Sequence, residues 1–308
     1  MEQDFNTLYE TLKPTLISLE EKRLELKKQG TKNGLIAGGI CCLLIGGFAT
    51  YAGAGAISLL IAFVIGLIIL FYCINAQGKE LSAFYKKEVI ATIISKLCEG
   101  ATFEPDQGIS QGTFEGCGLF QEPDRYHSED LISGCVEATH FVCSEIHAEE
   151  KRVTSDGKGH TRTYWVDIFR GFFFIADFQK DFKGKTSVYR NSWIKLHFGE
   201  QRVKLENPEF ENSFDVYSTD QVEARYLLTP SLMERLLILD QKFPGKITLS
   251  FRDSNVIIAI PDTIDHFEAG IWQSMLENNL LKREFDTICL LIGIVDDLNL
   301  NLRIWTKE

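Results

Sequence analysis

From Asn33 to Lys79 the chain carries no Asp, Glu, Lys or Arg between those two positions. A helix of a soluble domain keeps one polar face, and a half-buried strand alternates, so an uncharged stretch of this length fits neither. Residues 34–76 are too many for one membrane span and suit two, because a helix needs about 20 residues to cross the hydrocarbon core. The stretch divides itself. Residues 34–50 and 57–75 read as helices, and the small, Gly-rich Tyr51–Ala56 between them as a tight turn. The reading is a transmembrane helical hairpin.

The flanks orient it. Lys22, Arg23, Lys27, Lys28 and Lys32 precede the first span, Lys79, Lys86 and Lys87 follow the second, and the turn is uncharged. Basic flanks stay on the cytoplasmic side, so both termini are expected there. Tyr51 then falls at the far interface, with Phe71 and Tyr72 near the inner one. The acidic start, MEQDFNTLYE, is unlike a signal peptide. Gly34, Gly38, Cys42, Gly46 and Thr50 recur every four residues in the first span, and Ser58, Ala62 and Gly66 do so in the second. Stripes of small residues let membrane helices approach closely. They serve equally for packing within one hairpin or between two chains. Neither span holds an Asp, Glu, Lys, Arg or His that could face a lumen, which argues against an ion pathway.

Outside the spans, residues 1–33 are expected to form a cytosolic helix and 77–100 a juxtamembrane helix. Phe5, Leu12, Leu19 and Leu26 repeat every seven, with Tyr9, Leu16 and Arg23 at the other seam positions, and Pro14 is expected to kink or start the helix. Leu81, Phe84, Tyr85, Ile90, Ile93, Ile94 and Leu97 give a second amphipathic pattern ending near Gly100. The two helices suit either an antiparallel stalk or a cover over the main domain.

Residues 101–308 read as a cytosolic α+β domain with a mixed, mainly antiparallel sheet. Residues 101–134 look like an irregular linker. Strands are expected at 135–147, 162–178, 185–189, 194–198, 202–205 and 214–218, with a polar hairpin loop around 149–159. A hairpin is expected at 246–251 and 255–260, helices at 230–243, 263–280 and 285–296, and a last strand over 298–304. The net charge is −11, and residues 99–308 carry 22 Lys/Arg against 35 Asp/Glu. That balance argues against nucleic acid, whose binders supply cationic side chains. It also argues against broad docking on anionic lipid. The eight cysteines show no secreted disulfide spacing, which points to a reducing compartment.

Three blocks, FRGFFFIADFQKDFKGKTSVYR (169–190), FDVYSTDQVEARYLLTPSLMERL (214–236) and ITLSFRDSNVIIAIP (247–261), resemble the bacterial domain-of-unknown-function family 3137. The resemblance covers most of 78–308. It implies a bacterial inner-membrane protein with a two-span hairpin ahead of a cytosolic domain, and it brings no activity, substrate, cofactor or catalytic residue.

Gly108-Ile-Ser110-Gln-Gly112 has the GxSxG pattern of a nucleophile elbow, but neither flank reads as the strand and helix an elbow needs. Gly184-Lys185-Thr186 lacks the preceding Gly and the following helix of a phosphate loop. Cys135, His140, Cys143 and His147 do not converge on a strand, so no metal is expected there. Arg170 lies among Phe residues on what reads as a central strand, and asks for a carboxylate partner or a ligand. Lys180, Phe182 and Lys183 sit in the loop 177–184, where an aromatic ringed by charges has the composition of an interface anchor, or else folds back over the sheet edge. The leading expectation is a membrane-anchored binding or interaction module whose partners are the bilayer and a protein or second copy. A hydrolase using Ser110 and a subunit of an oligomeric channel or export assembly are the alternatives.

Overall fold

A computed structural model describes residues 2–51, 53, 56–155, 161–178, 181–190, 199–243 and 245–300. The chain forms two compact units. One is Met1–Ile93 with Phe267–Asp286, and the other is Ile94–His266 with Thr287–Glu308.

The first unit is built on two long helical runs. Helix α1, Glu2–Tyr51, is continuous over 50 residues, about 75 Å at 1.5 Å per residue. After the turn come α2 (Ala56–Ala76), α3 (Gly78–Tyr85) and a π-helical turn at Lys86–Ile90, which leads into α4 (Ala91–Leu97). Pro14 neither starts nor interrupts α1. Its neighbours Leu12 and Leu16 are almost fully buried, and that packing outweighs the one backbone bond Pro removes.

The buried seam of α1 changes character along its length. From Phe5 to Leu26 it runs Phe5, Leu8, Leu12, Leu16, Leu19, Arg23 and Leu26, in steps of three and four. From Gly30 it continues as Gly34, Gly38 and Gly46, in multiples of four. Large apolar side chains hold the polar-sheathed part, where water drives burial. Small residues take over where the outward faces are apolar. Both helical runs contain a stretch long and apolar enough to cross a membrane.

The second unit carries a nine-stranded sheet among the described residues. Its strands are β1 (Thr102–Glu104), β2 (Arg125–Val136), β3 (Thr139–Ser155), β4 (Thr161–Asp177), β5 (Thr186–Arg190), β6 (Gln201–Val203), β7 (Phe214–Ser218), β8 (Thr248–Arg252) and β9 (Asn255–Pro261). The spatial order is β1-β2-β3-β4-β9-β8-β5-β7-β6, and every neighbouring pair is antiparallel. Its helices are α5 (Gln111–Gly116), α6 (Pro208–Ser213), α7 (Gln221–Leu227) and α8 (Pro230–Lys242), while α9 (Asn278–Asp297) is shared, its residues up to Asp286 belonging to the first unit. The architecture is the expected α+β class. Helix α8 opens on Pro230, as its sequence implies, with the Thr229 hydroxyl accepting the Leu232 N–H.

Four local expectations need correction. The segment 101–134 is no linker: it contributes β1, α5 and β2, and Ile109, Phe114, Cys117 and Leu119 pack on Ile146, Ala148, Phe169 and Phe173 as one core. The polar residues at 149–155 do not form a loop. They extend β3 as an exposed ribbon with β4, from Glu149 opposite Asp167 to Ser155 opposite Thr161. Residues 263–277 are not helical. Asp262 and Ser274 side chains take nearby backbone N–H groups, and Gly270 interrupts the stretch. Residues 298–300 are a turn, and the remainder of the expected last strand lies outside the described residues, as does the candidate at 194–198.

Candidate functional site

The stripes of small residues on α1 and α2 face one another. A Cβ added to Gly34 would stand 2.8 Å from Leu70 Cα, and one added to Gly38 would stand 2.8 Å from the Gly66 carbonyl oxygen. A Cβ on Gly66 would meet Cys42 Sγ at 2.6 Å. Further along, the Cys42 thiol donates to the Ala62 carbonyl at 3.1 Å. Gly46 is looser, its nearest neighbour being Leu59 Cδ2 at 3.5 Å. Ala62 is buried and Ser58 half-buried. No side chain larger than hydrogen fits at Gly34, Gly38 or Gly66 without moving a helix or the side chain it meets. The opposite faces are apolar and open: Leu43, Leu44, Phe48, Ile57, Phe63 and Ile68 are all exposed.

Below this seam, residues 267–277 are clasped to the helices. The Arg23 guanidinium takes both oxygens of Glu20, at 2.9 and 2.6 Å, and donates to the Ile271 carbonyl at 2.9 Å. Glu20 in turn accepts the Met275 N–H at 2.8 Å. Hydrogen bonding from Arg23 and that N–H lower the Glu20 carboxyl to about 2, against the opposing effect of burial. Lys86 is buried and pairs with Glu268 at 2.7 Å, and the Ser82 hydroxyl donates to the same carboxylate. Two of the cations counted as membrane flanks, Arg23 and Lys86, are therefore spent inside the protein. Trp272 donates its indole N–H to Asn75 Oδ1 at 2.7 Å, stacks on Phe71, and lies under the Lys27 ammonium. The sequence signal for this clasp was the apolar spacing of Phe267, Ile271 and Met275, which resembles a helix. The segment instead uses those side chains as separate anchors, because Arg23 and Glu20 supply its backbone partners.

The other candidates from sequence fall as follows. Ser110 is exposed and caps α5: its hydroxyl accepts the Thr113 N–H at 3.2 Å and lies 2.8 Å from the Thr113 hydroxyl. The residues before it form no strand, and the helix after it has six residues. Arg170 is half-buried on β4 opposite His147, and makes no ion pair with a described residue. Phe182 is half-buried, with its ring 5.4 Å from Phe178 and 6.1 Å from Phe251. Lys183 is exposed. The backbone N–H groups of Lys183 and Gly184 both donate to the Glu223 carboxylate, at 3.1 and 2.7 Å. Lys180 lies outside the described residues. A bulge in β4 at Ile168, between the pairs Ala148–Phe169 and Glu149–Asp167, brings His147, Glu149 and Asp167 together. His147 contacts Asp167 at 2.8 Å, while Glu149 lies 3.8 Å from Arg125. These contacts account for the group as a hydrogen bond and an ion pair.

No curated protein matches the chain. A solved structure described as the crystal structure of the mycobacterial trehalose monomycolate transport factor A, TtfA, aligns with a TM-score of 0.36 at 9% identity, over 65% of this chain and 94% of that one. A likeness of that degree supports no inference about role. Residues 167–300 match the family model described as Protein of unknown function (DUF3137), the family that the sequence blocks at 169–190, 214–236 and 247–261 resemble.

Proposed function

We propose that the chain is a membrane-anchored cytosolic interaction module. Its hairpin crosses the bacterial inner membrane with both termini inside, and its sheet domain meets a protein partner or a second copy at the inner face. The observation that carries this reading is the contrast between the two faces of α1 and α2. One face is a seam of small residues in close contact. The other is a continuous belt of large apolar side chains, from Leu43 at 77% exposure to Tyr51 at 91% and Tyr72 at 74%. Such a belt is a liability in water and matches hydrocarbon. The paired stripes support an anchor that is complete within one chain, which leaves the outward faces to lipid.

Protease treatment of sealed, oriented vesicles tests the proposal. Inverted vesicles should lose the sheet domain, whereas intact spheroplasts should retain it. Digestion from the outer face of intact spheroplasts would overturn the orientation, and release of the whole chain by carbonate wash would overturn the anchor.

A further inference from the structure

Arg252 closes β8 and is buried at 9% exposure. Its Nε–H donates to the Ser250 hydroxyl at 3.2 Å, and one terminal N–H donates to the Gly116 carbonyl. Ser250 itself donates to the Cys117 carbonyl at 3.0 Å, so the loop after α5 is pinned over the guanidinium. Gly118 has φ +67 there, and a Cβ on it would stand 2.7 Å from Arg252 Nη2. A guanidinium offers five N–H groups. Here it has two neutral acceptors and no ion pair with a described residue. A buried cation without a counter-charge is costly, and an oxygen anion on its free edge relieves that cost best.

The free edge lines a cleft of about 570 Å³, within the size range of small-molecule sites. Across the cleft is Glu200. Its Oε1 accepts the Ser187 hydroxyl at 3.1 Å, while Oε2 is buried with no hydrogen-bond partner. Burial raises the Glu200 carboxyl, against the pull of Ser187, Arg252 and Lys185. The cleft thus holds an under-used cation and an under-used carboxylate that do not pair with each other. Its charged lining is Arg252 and Lys185 against Glu115, Glu122 and Glu200. Three carboxylates against two cations disfavour a polyanion such as a phosphate ester. They suit a ligand that carries one carboxylate and one ammonium.

We propose that this cleft binds a small zwitterion of the free α-amino-acid class, its carboxylate on Arg252 with Lys185 beside it, and its ammonium on Glu200. The site lies wholly within the sheet-bearing unit and stands independently of the membrane topology.

Calorimetric titration of the full chain in detergent tests it, with a panel of the free proteinogenic amino acids as probes. For the tightest member, the matching amide, which lacks the carboxylate, and the matching deaminated acid should each bind at least about tenfold more weakly. Inorganic phosphate should not compete. Glu200→Gln keeps shape and should weaken the zwitterion about tenfold while leaving the deaminated acid unaffected. Lys185→Ala, on an exposed residue, should cost several-fold with the melting temperature unchanged. Arg252→Lys should abolish binding, and the two milder variants keep the test decisive if that protein fails to fold. The proposal is overturned if no panel member binds at millimolar concentration. It is equally overturned if phosphate binds tighter than every zwitterion. Glu200→Gln lowering the melting temperature without any ligand effect would also sink it, since Arg252 and Glu200 would then serve only each other.

Discussion

Gly38 meets Gly66 backbone to backbone: a Cβ on Gly38 would stand 2.8 Å from the Gly66 carbonyl oxygen, a contact no side chain can yield to. Gly46, two helical turns further along α1, has 3.5 Å to the movable end of Leu59. Gly38→Ala is therefore expected to cost about 1–3 kcal/mol of hairpin stability, as overpacking does. Gly46→Ala should be tolerated, and Leu44→Ala, on the outward face, should matter less than Gly38→Leu. Denaturation of the purified chain in detergent, followed by circular dichroism, measures all four. Equal stability of the Gly38 and Gly46 variants would remove the close-contact argument.

Glu20 supplies a pH signature. Its carboxyl is held at about 2 in the folded chain, against an ordinary 4.5. A depressed carboxyl adds stability that is complete above the unfolded value and disappears as pH falls through the folded one. Glu20→Gln should therefore cost on the order of 2 kcal/mol at neutral pH. It should also flatten the loss of stability between pH 4.5 and about 2. Acid titrations of both proteins check the slope.

Glu145 shows the opposite sign. Burial pushes its carboxyl up to about 8, Asp265 and Asp130 reinforce this, and the His266 N–H and ring oppose it. His266 is itself buried, and its ring nitrogen lies 3.1 Å from Asp262. The folded chain thus keeps a proton that the unfolded chain has released between pH 4.5 and about 8, so stability falls as pH rises through that window. Glu145→Gln should abolish this slope and gain on the order of 2 kcal/mol at its upper end. Melting temperatures across the window decide it. An unchanged slope in the variant counts against the buried proton.

Phe182 rests on Phe178 and Phe251. Phe182→Ser should lower stability by about 1–2 kcal/mol through lost aromatic contact. Lys183→Glu, on an exposed side chain, should leave it unchanged. A silent Phe182→Ser in thermal melts, with partner recovery lost, would return this loop to the role of an interface anchor.

The helical hairpin and the strands β4, β5, β7, β8 and β9 were legible because their signals are local: absence of charge, four-residue recurrence of small residues, and apolar runs such as 162–178 and 255–260. What escaped depends on contacts distant in sequence. Residues 267–277 show helical spacing, yet Arg23 and Glu20, about 250 positions earlier, settle their conformation. The core role of Ile109 and Phe114 was hidden because their neighbours are polar turn residues, and only β3 and β4 reveal what they cover. The Arg252 cleft left no motif at all. It needs the loop after α5 to close over the end of β8, and nothing near Arg252 in the sequence announces that.

The ribbon formed by the outer parts of β3 and β4 has a kinetic consequence. From Glu150 opposite Val166 to Ser155 opposite Thr161 the two strands pair only with each other, since β2 leaves β3 at Glu149 and β9 meets β4 only from Gly171. Two strands without a third, and with most of their side chains exposed, open at little cost. Their amide hydrogens should exchange with deuterium within seconds to minutes, while those at Cys143, Phe173 and Ile258 wait for the whole sheet to part. The same ladder of hydrogen bonds thus holds a fast clock at one end and a slow one at the other, with the Glu149–Asp167 pair at the boundary.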